Sequence, residues 1–399
     1  MNFTSDRRLL AIFLIVLIDV LGITIILPLL PFYAERFGAS PFTVGMLVSS
    51  YAICQLISGP ILGAWSDRIG RKPVLIVSQI GTFLSFLLLA SAPSLFWIFV
   101  ARVIDGLTAG NLSTAQAYIS DIANPKDRAK NFGKISMAFG IGFFVGPALT
   151  AFLYQYGHRV PILAAAFLSF SSIMASTFLL PKATKPAHSA AAPAPGAKKE
   201  SEIKVFFRFF KKPVLSGLLL QILLFYFSFS AYMSGFALFS ERRFTFHGLP
   251  LNAQQVGYAF TYFGLLQIIL QVGLMGKLVE RFGERKLARL GFVSSVIGYI
   301  LLSVVSNPFW IALTGLFTSF GGGVLRPALT SEITGHVQPN ERGRIMGVNQ
   351  TLQSCAQIVA PLVSTTLIEA SDLALWALFP ALISIFGVML ASRKQRVPV

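Results

Sequence analysis

The stretch GAWSDRIGRK at residues 63–72 recurs as GKLVERFGER at residues 276–285, at an offset of 213 residues. A second charged stretch, NPKDRAKNFG at residues 124–133, recurs as QPNERGRIMG at residues 338–347, at an offset of 214. In each pair an acidic residue, an arginine and a glycine occupy matching positions. Two charged stretches that repeat at nearly the same spacing indicate that one structural unit was duplicated.

Long apolar segments separate these charged stretches. Of the 399 residues, 54% are hydrophobic and only 12% are charged, which is too little polar surface for a water-soluble fold. About 20 apolar residues in a helix cross the roughly 30 Å hydrocarbon core of a bilayer, and the segments lack the alternation of barrel strands. The sequence therefore predicts an all-α integral membrane protein with twelve transmembrane helices in two pseudo-symmetric six-helix bundles. The predicted spans lie near residues 9–34, 41–65, 73–92, 95–121, 131–155, 161–180, 213–241, 253–279, 287–305, 309–335, 344–369 and 374–391.

The predicted domains follow from the repeat and from a change of composition in mid-chain. Residues 1–181 form the N-terminal bundle, residues 182–212 a cytoplasmic linker and residues 213–399 the C-terminal bundle. Most of the linker is rich in Ala, Pro, Lys and Ser and has no periodic apolar face, which is typical of a flexible tether. At its end, IKVFFRFFKKP (residues 203–213) interleaves phenylalanine with basic residues, as an interfacial helix on anionic lipid does. A simple positive-inside anchor explains this segment equally well.

The formal charge of +17 is spread over alternate loops rather than gathered on one binding face. The loops predicted on one side of the membrane hold most of the cations, whereas the opposite loops hold only Arg36, Arg159, Arg242 and Arg243. By the positive-inside rule the basic side is cytoplasmic, so both termini and the linker are predicted to be cytoplasmic. The distribution indicates membrane lipid as a partner and no nucleic acid.

The chain has no pattern typical of an enzyme. Its two cysteines fall in predicted spans on opposite halves, its four histidines lie near predicted loops, and no nucleotide-binding motif or nucleophile triad occurs. We therefore expect no catalytic residue, no metal site and no bound cofactor.

The first repeated stretch resembles the signature between helices 2 and 3 of the major facilitator superfamily: a glycine, an acidic residue and then Arg-x-Gly-Arg-Lys. Three more segments, DVLGITIILPLLP (19–31), ARVIDGLTAG (101–110) and GFFVGP (142–147), resemble the drug/proton antiporter branch, most closely the tetracycline/proton antiporters. The resemblance runs over nearly the whole chain. It implies a multi-pass transporter of the bacterial inner (cytoplasmic) membrane, and a monomer suffices because one chain supplies both halves.

The resemblance also implies a conformational gate in the repeated loops and an antiporter motif in helix 5. In the gate, glycine is expected to permit close helix approach, and the acidic residue to cap the next helix or bridge to neighbouring basic residues. The gate residues are Gly63, Asp67, Arg68, Arg71, Asp121, Arg128, Glu280 and Arg281, and the motif residues are Gly142, Gly146 and Pro147.

The chain departs from the tetracycline exporters at particular positions. Those exporters place carboxylates in helices 3 and 9 and a histidine in helix 8, where this chain has Ser85, Ser295 and Gln267. In the antiporter motif, Thr150 and Ala151 stand where paired glycines are usual. The resemblance therefore does not single out tetracycline as the substrate.

Four ionisable residues fall inside predicted spans, where a charge costs at least about 2.5 kcal/mol. Asp19 lies near the midplane of helix 1, and Arg102 and Asp105 lie three residues apart on one face of helix 4. Because an acid beside an arginine can be poised to gain and lose a proton, Asp19 and Asp105 are the predicted proton carriers, with Arg102 setting their affinity. A static Arg102–Asp105 ion pair is the alternative. Arg326 in helix 10 would favour an anionic substrate if it faces the cavity; otherwise it pairs with Glu332 or another helix.

Polar and aromatic residues on the predicted cavity helices are candidates for substrate binding, although most would serve equally as helix–helix contacts. Apart from Arg326, they are Tyr51, Gln55, Asn111, Tyr226, Tyr232, Tyr262, Gln267, Asn349 and Gln353. This lining suits small amphipathic molecules. We predict a secondary active transporter that exports amphipathic small molecules or drugs in exchange for protons by alternating access. Two alternatives stay open: a proton-coupled or facilitative carrier of a specific metabolite or organic anion, and a non-transporting membrane receptor or scaffold.

Overall fold

The computed structural model describes the backbone of residues 7–122, 128–180, 202–338 and 341–393. Side chains are described within these ranges except at residues 7, 8, 112, 113, 120–122, 128–136 and 202–205. Most of the predicted linker therefore lies outside the described residues, and so do the side chains of two predicted gate residues, Asp121 and Arg128.

Helices make up nearly all of the described chain. The helices of the first half are α1 (Arg7–Ile26), α2 (Leu30–Glu35), α3 (Pro41–Ile69), α4 (Arg71–Ser91), α5 (Leu95–Leu107), α6 (Asn111–Ile122), α7 (Arg128–Tyr154) and α8 (Val160–Leu179). The later helices are α9 (Glu202–Phe210), α10 (Pro213–Arg243), α11 (Ala253–Ile268), α12 (Met275–Val304), α13 (Ile311–Gly335), α14 (Arg342–Glu369) and α15 (Leu373–Ser392). The remaining elements are an antiparallel pair of strands, β1 (Thr245–Phe246) and β2 (Leu249–Pro250), a π-helical turn (Ile269–Leu274) and a 3-10 turn (Pro308–Trp310).

Ten segments of the described chain are long and apolar enough to cross a membrane. One of them, Ala253–Val304, is 52 residues long and contains both the eighth and the ninth predicted span. The fourth predicted span, residues 95–121, is divided into α5 and α6 by a turn at residues 108–110. In this turn the Thr108 hydroxyl donates to the carbonyl oxygen of Ile104 at 2.8 Å. The all-α membrane fold is confirmed, and the helices fit the twelve predicted spans.

Proline and glycine account for other breaks in the predicted spans. The first span divides into α1 and α2 because Pro28 and Pro31 lack the backbone N–H groups that would continue the helix. Gly70 ends α3 with φ of 100°, and Gly283 kinks α12 with φ of 70°. These two glycines occupy matching positions in the repeated stretches, and side chains rarely adopt such φ values. The duplicated unit therefore repeats a backbone turn as well as a charge pattern.

The described residues group into two compact units. The first contains residues 7–122 and 128–180 together with Asn252–Gly264, and the second contains residues 202–251, 265–338 and 341–393. Each unit has its own apolar core. The first is built around Ile12, Ile15, Val16, Leu75 and Ile119, and the second around Phe209, Leu218, Phe292, Leu329 and Ile345.

The basic and aromatic segment before the second half forms α9, which docks on the second unit by one face. Phe209 is completely buried in the core of that unit, and the Arg208 guanidinium lies 3.0 Å from a carboxylate oxygen of Glu341. Phe207 is 59% exposed. The segment is therefore attached to the bundle by its own contacts, and contact of its exposed face with lipid stays a prediction.

Candidate functional site

The carboxylate of Asp19, inside the membrane-spanning helix α1, is held by polar side chains from other helices. Ser172 on α8 donates from Oγ to Oδ1 of Asp19 at 3.1 Å, and Gln79 on α4 donates from Nε2 to Oγ of Ser172 at 2.7 Å. Both supporting side chains are completely buried. Asn111 on α6 also interacts with Asp19. The position of this carboxylate is therefore set by four different helices.

The charges of Arg102 and Asp105 form an ion pair on α5. Nη2 of Arg102 lies 3.1 Å from Oδ2 of Asp105, and the two side chains are only 9% and 5% exposed. The Arg102 guanidinium also lies 5.8 Å from the centre of the Tyr51 ring, whose hydroxyl accepts a hydrogen bond from Nε2 of Gln55 at 3.3 Å. The pair expected from the three-residue spacing is present, and Tyr51 and Gln55 lie beside it.

Asp19 and the Arg102–Asp105 ion pair form one electrostatic system in the first unit. Asp19 and Asp105 interact with each other, and Tyr51 interacts with both carboxylates and with Arg102. Because Asp19 and Asp105 interact, the protonation of either acid changes the field at the other. We call Asp19, Arg102 and Asp105 the acidic triad. Its geometry allows a proton to be held inside the membrane span, and the transfer of that proton stays a prediction.

The repeated gate stretches lie at the ends of membrane-spanning helices. Asp67 pairs with Arg71 at 2.5 Å, and Arg71 also donates to Oγ of Ser66 at 2.6 Å. We expected a close helix approach at Gly63, and the structure does not show it. No described atom of another helix lies within 4 Å of the place where a Cβ on Gly63 would stand. Arg68, Glu280 and Arg281 are exposed.

The glycines of the predicted antiporter motif pack α7 tightly against α1. A Cβ on Gly142 would collide with Val20, and a Cβ on Gly146 would collide with Thr24. Thr24 donates from Oγ1 to the carbonyl oxygen of Gly142 at 2.9 Å. Thr150, one turn after Gly146, donates to the carbonyl oxygen of Ile25 at 2.6 Å. The threonine that replaces a usual motif glycine therefore joins the same two helices. Pro147, in the middle of α7, is buried.

The predicted substrate residues of the second unit fall into two groups. Tyr226, Tyr232 and Asn349 are at most 6% exposed, and Tyr232 stacks with Trp376 at a centroid separation of 6.4 Å. In this structure these three side chains contribute to packing of the bundle interior. By contrast, Gln267 and Gln353 are half-buried and Arg326 is exposed. Tyr262, at the end of the first unit, is also half-buried.

Ser172 and Gln79, which support Asp19, were not singled out by the sequence. The available signal was the spacing of Ser169, Ser172 and Ser176, which places three buried hydroxyls on one face of α8. A polar stripe on a membrane helix indicates a polar partner on a neighbouring helix. Here that partner is the carboxylate of Asp19.

Duplicated bundles of membrane-spanning helices with an acidic triad inside the spans define a multi-pass secondary transporter. The sequence model of the Major Facilitator Superfamily matches residues 12–251 and 244–398 of the chain. The chain therefore belongs to this superfamily. The resemblance inferred from the repeated loops is thereby confirmed.

Relatives and solved structures agree with this assignment. The tetracycline resistance protein, class B, of Escherichia coli is 30% identical over 372 residues, or 91% of this chain and 88% of that protein. Multidrug resistance protein 2 of Bacillus subtilis is 29% identical over 357 residues, or 88% of this chain and 87% of that protein. The crystal structure of the human organic anion transporter MFSD10 (TETRAN) matches with a TM-score of 0.71 and 23% identity, over 97% of this chain and 99% of that chain. The relatives are transporters and not enzymes, as expected.

Proposed function

We propose that this transporter exports amphipathic small molecules in exchange for protons by alternating access. The acidic triad carries the proposal, because ionisable groups inside membrane spans are costly and mark ion or proton pathways. The Asp19 carboxylate and the Asp105 carboxylate beside Arg102 offer places where a proton binds and leaves. Similarity to a tetracycline resistance protein and a multidrug resistance protein supports drug-like substrates.

Proton binding would be coupled to substrate export because the charged triad is not equally stable in the two conformations of the alternating-access cycle. A buried ion pair is strongly stabilising only while both partners are charged and in contact. Protonation of Asp105 would release Arg102 from its partner, and protonation of Asp19 would remove the charge that Ser172 solvates. A ligand shifts a conformational equilibrium only by its differential affinity for the two states. Protons bound from outside and substrate bound from inside would thus drive opposite transitions.

We further propose that the transporter lies in the inner membrane of a bacterium as a monomer, with both termini cytoplasmic. The basic loops support this orientation, because Arg68, Arg71 and Lys72 have basic counterparts, Arg281 and Arg285, in the second half. Cysteine accessibility to a membrane-impermeant reagent tests it: a cysteine placed at Arg68 is expected to react only in inverted vesicles.

The coupling is tested by substrate-induced proton movement in proteoliposomes that contain a pH-sensitive dye. Lipophilic cations, neutral drugs and organic anions are screened with the wild type and with Asp19→Asn. We expect at least one compound to drive proton movement with the wild type, and Asp19→Asn to reduce that movement to the level of protein-free liposomes, because an amide cannot carry the proton.

Glu369→Gln is the matched control, since Glu369 is an exposed carboxyl at the end of α14. It should leave proton movement unchanged. Uptake of a compound without proton movement, at the same rate in the wild type and in Asp19→Asn, would rule out the antiport mechanism.

A carrier of a specific metabolite or organic anion is the second candidate function. It is favoured by the exposed guanidinium of Arg326 inside a membrane-spanning helix. The same assay separates the candidates, because a facilitative carrier would take up an organic anion without proton movement.

A further inference from the structure

Arg326 is a cation inside the span Pro308–Gly335 with no counter-charge of its own. It lies nine residues before the end of α13, or roughly 13 Å along the helix axis. Its side chain is exposed, and no hydrogen bond or ion pair joins it to another residue in the described part of the chain. Arg102 differs, because its guanidinium is buried against Asp105. The guanidinium of Arg326 is therefore accessible to a group from outside the described chain.

The acidic residue of α13 itself does not provide that stabilisation. Glu332 is the one acid in this helix, and it lies six residues beyond Arg326, which places it on a different face. Glu332 interacts with His336 and Arg285 instead. The Arg326–Glu332 ion pair, one of the two possibilities raised from the sequence, is therefore not formed.

The surroundings of Arg326 combine a hydrogen-bond donor with an aromatic ring. A helical side chain leans towards the N-terminus of its helix, so the guanidinium extends towards Gly322, one turn earlier. A Cβ at Gly322 would lie 3.0 Å from Cε2 of Phe229 on α10 and 3.9 Å from Nε2 of Gln267. Phe229 and Gln267 are both half-buried. Phe229 and Gln267 therefore lie beside Gly322, one helical turn before Arg326, within the second unit.

We propose that Arg326, Gln267 and Phe229 form a subsite for a carboxylate carried on an aromatic or apolar body. The planar guanidinium matches the two oxygens of a carboxylate, the Gln267 amide supplies a further N–H donor, and the Phe229 ring packs against an apolar body. The proposal rests on the proposed transport function and specifies its substrate class. A lipid headgroup phosphate shares the oxyanion chemistry, so the test must separate the two sources.

The test is equilibrium binding of a matched pair of probes, 1-naphthylacetate and 1-naphthylacetamide, which share a ring and differ in charge. Binding to the full chain in nanodiscs of zwitterionic phosphatidylcholine needs no proton gradient, so failure of the coupling mechanism would not affect the result. We expect the wild type to bind the carboxylate at least tenfold more tightly than the amide. Arg326→Ala should remove this preference, and Arg326→Lys should keep part of it because the charge remains.

Controls separate the subsite from general surface charge and from folding. Arg289→Ala removes another exposed arginine of the second unit and should leave the preference unchanged. Gly322→Val should weaken binding of both probes, because its side chain fills the space beside Phe229, and its elution as a monodisperse peak shows that the variant is folded.

Three results would overturn the proposal. The first is an equal affinity of the wild type for both probes, and the second is a preference that survives Arg326→Ala. The third concerns lipid: if phosphatidylglycerol binds through Arg326 while naphthylacetate does not, the site holds a headgroup and not a substrate.

Discussion

The buried polar residues of the first unit include an arginine and an aspartate, whereas those described in the second unit are hydroxyls and amides. The first unit places Arg102 and Asp105 in contact near Asp19. Arg326, within the tenth span, is instead exposed. Although the two halves repeat the same loops, the first half buries an ion pair in its interior and the second half leaves the arginine of its tenth span exposed. Under the proposed function, proton binding lies in the first copy of the duplicated unit and the proposed carboxylate subsite in the second.

The interior of the second unit is stabilised by aromatic packing and neutral hydrogen bonds. Trp376 stacks on Phe239 with ring centroids 4.4 Å apart and donates from Nε1 to Oγ of Ser364 at 2.7 Å. Ser364 in turn donates to the carbonyl oxygen of Ala231. Such contacts contain no group that titrates between about pH 5 and pH 9, so they make no pH-dependent contribution to the stability of this unit.

The largest effect on stability is expected from Arg102→Ala. Removal of the guanidinium leaves Asp105 buried without its cation, which should lower the free energy of unfolding by about 3–5 kcal/mol. Arg326→Ala removes an exposed arginine from the other unit and should change it by less than about 0.5 kcal/mol. Both variants are compared by unfolding in mixed micelles.

The double variant Arg102→Leu, Asp105→Leu separates stability from coupling. Apolar residues of similar volume often replace a buried ion pair without loss of stability, so most of the lost free energy should return. Substrate-driven proton movement should not return. Equal destabilisation by Arg102→Ala and Arg326→Ala would contradict the contrast between the units.

A smaller effect is expected from serine substitutions that remove one hydrogen bond in each unit. Ser172→Ala removes a donor to the Asp19 carboxyl group, and Ser228→Ala removes bonds to the carbonyl oxygen of Pro380 and to Ser384. A bond to a charged group contributes about 1.5–3 kcal/mol and a neutral bond about 1 kcal/mol. Because the acceptor of Ser172 is a carboxyl group, the penalty of Ser172→Ala should be at least as large as that of Ser228→Ala. A smaller penalty for Ser172→Ala than for Ser228→Ala, measured by unfolding in mixed micelles, would contradict this prediction.

The features predicted well from sequence are those that depend on short segments. Apolar length predicts the spans, and the three-residue spacing predicts that Arg102 and Asp105 meet, because both signals are contained within one helix. The break between α5 and α6 was missed, because no proline or charged residue marks residues 108–110 within the predicted span.

The partners of Asp19 were not predicted because they come from distant parts of the chain. Ser172 lies 153 residues away from Asp19 in sequence, and its bond depends on the packing of α8 against α1. Gly63 shows the opposite error: the glycine of the repeated stretch was expected to bring helices together, yet no described atom of another helix lies within 4 Å of where its Cβ would stand. Sequence patterns therefore identified the ionisable residues of the site but not the side chains that orient them.

The smallest predicted effect concerns His158, in the turn between α7 and α8. Burial lowers the pKa of this histidine, and the cations of Arg36 and Arg159 lower it further. Since the unfolded chain then takes up the proton more readily than the folded protein, this contribution to stability is present above pH 6.5 and is lost as the pH falls through that value. Between pH 8 and pH 5.5 the Tm should therefore fall less for His158→Asn than for the wild type. His247→Asn, in the turn between β1 and β2, serves as the control for the loss of an imidazole as such. An identical pH dependence of Tm in all three proteins would show that His158 titrates alike in the folded and unfolded states.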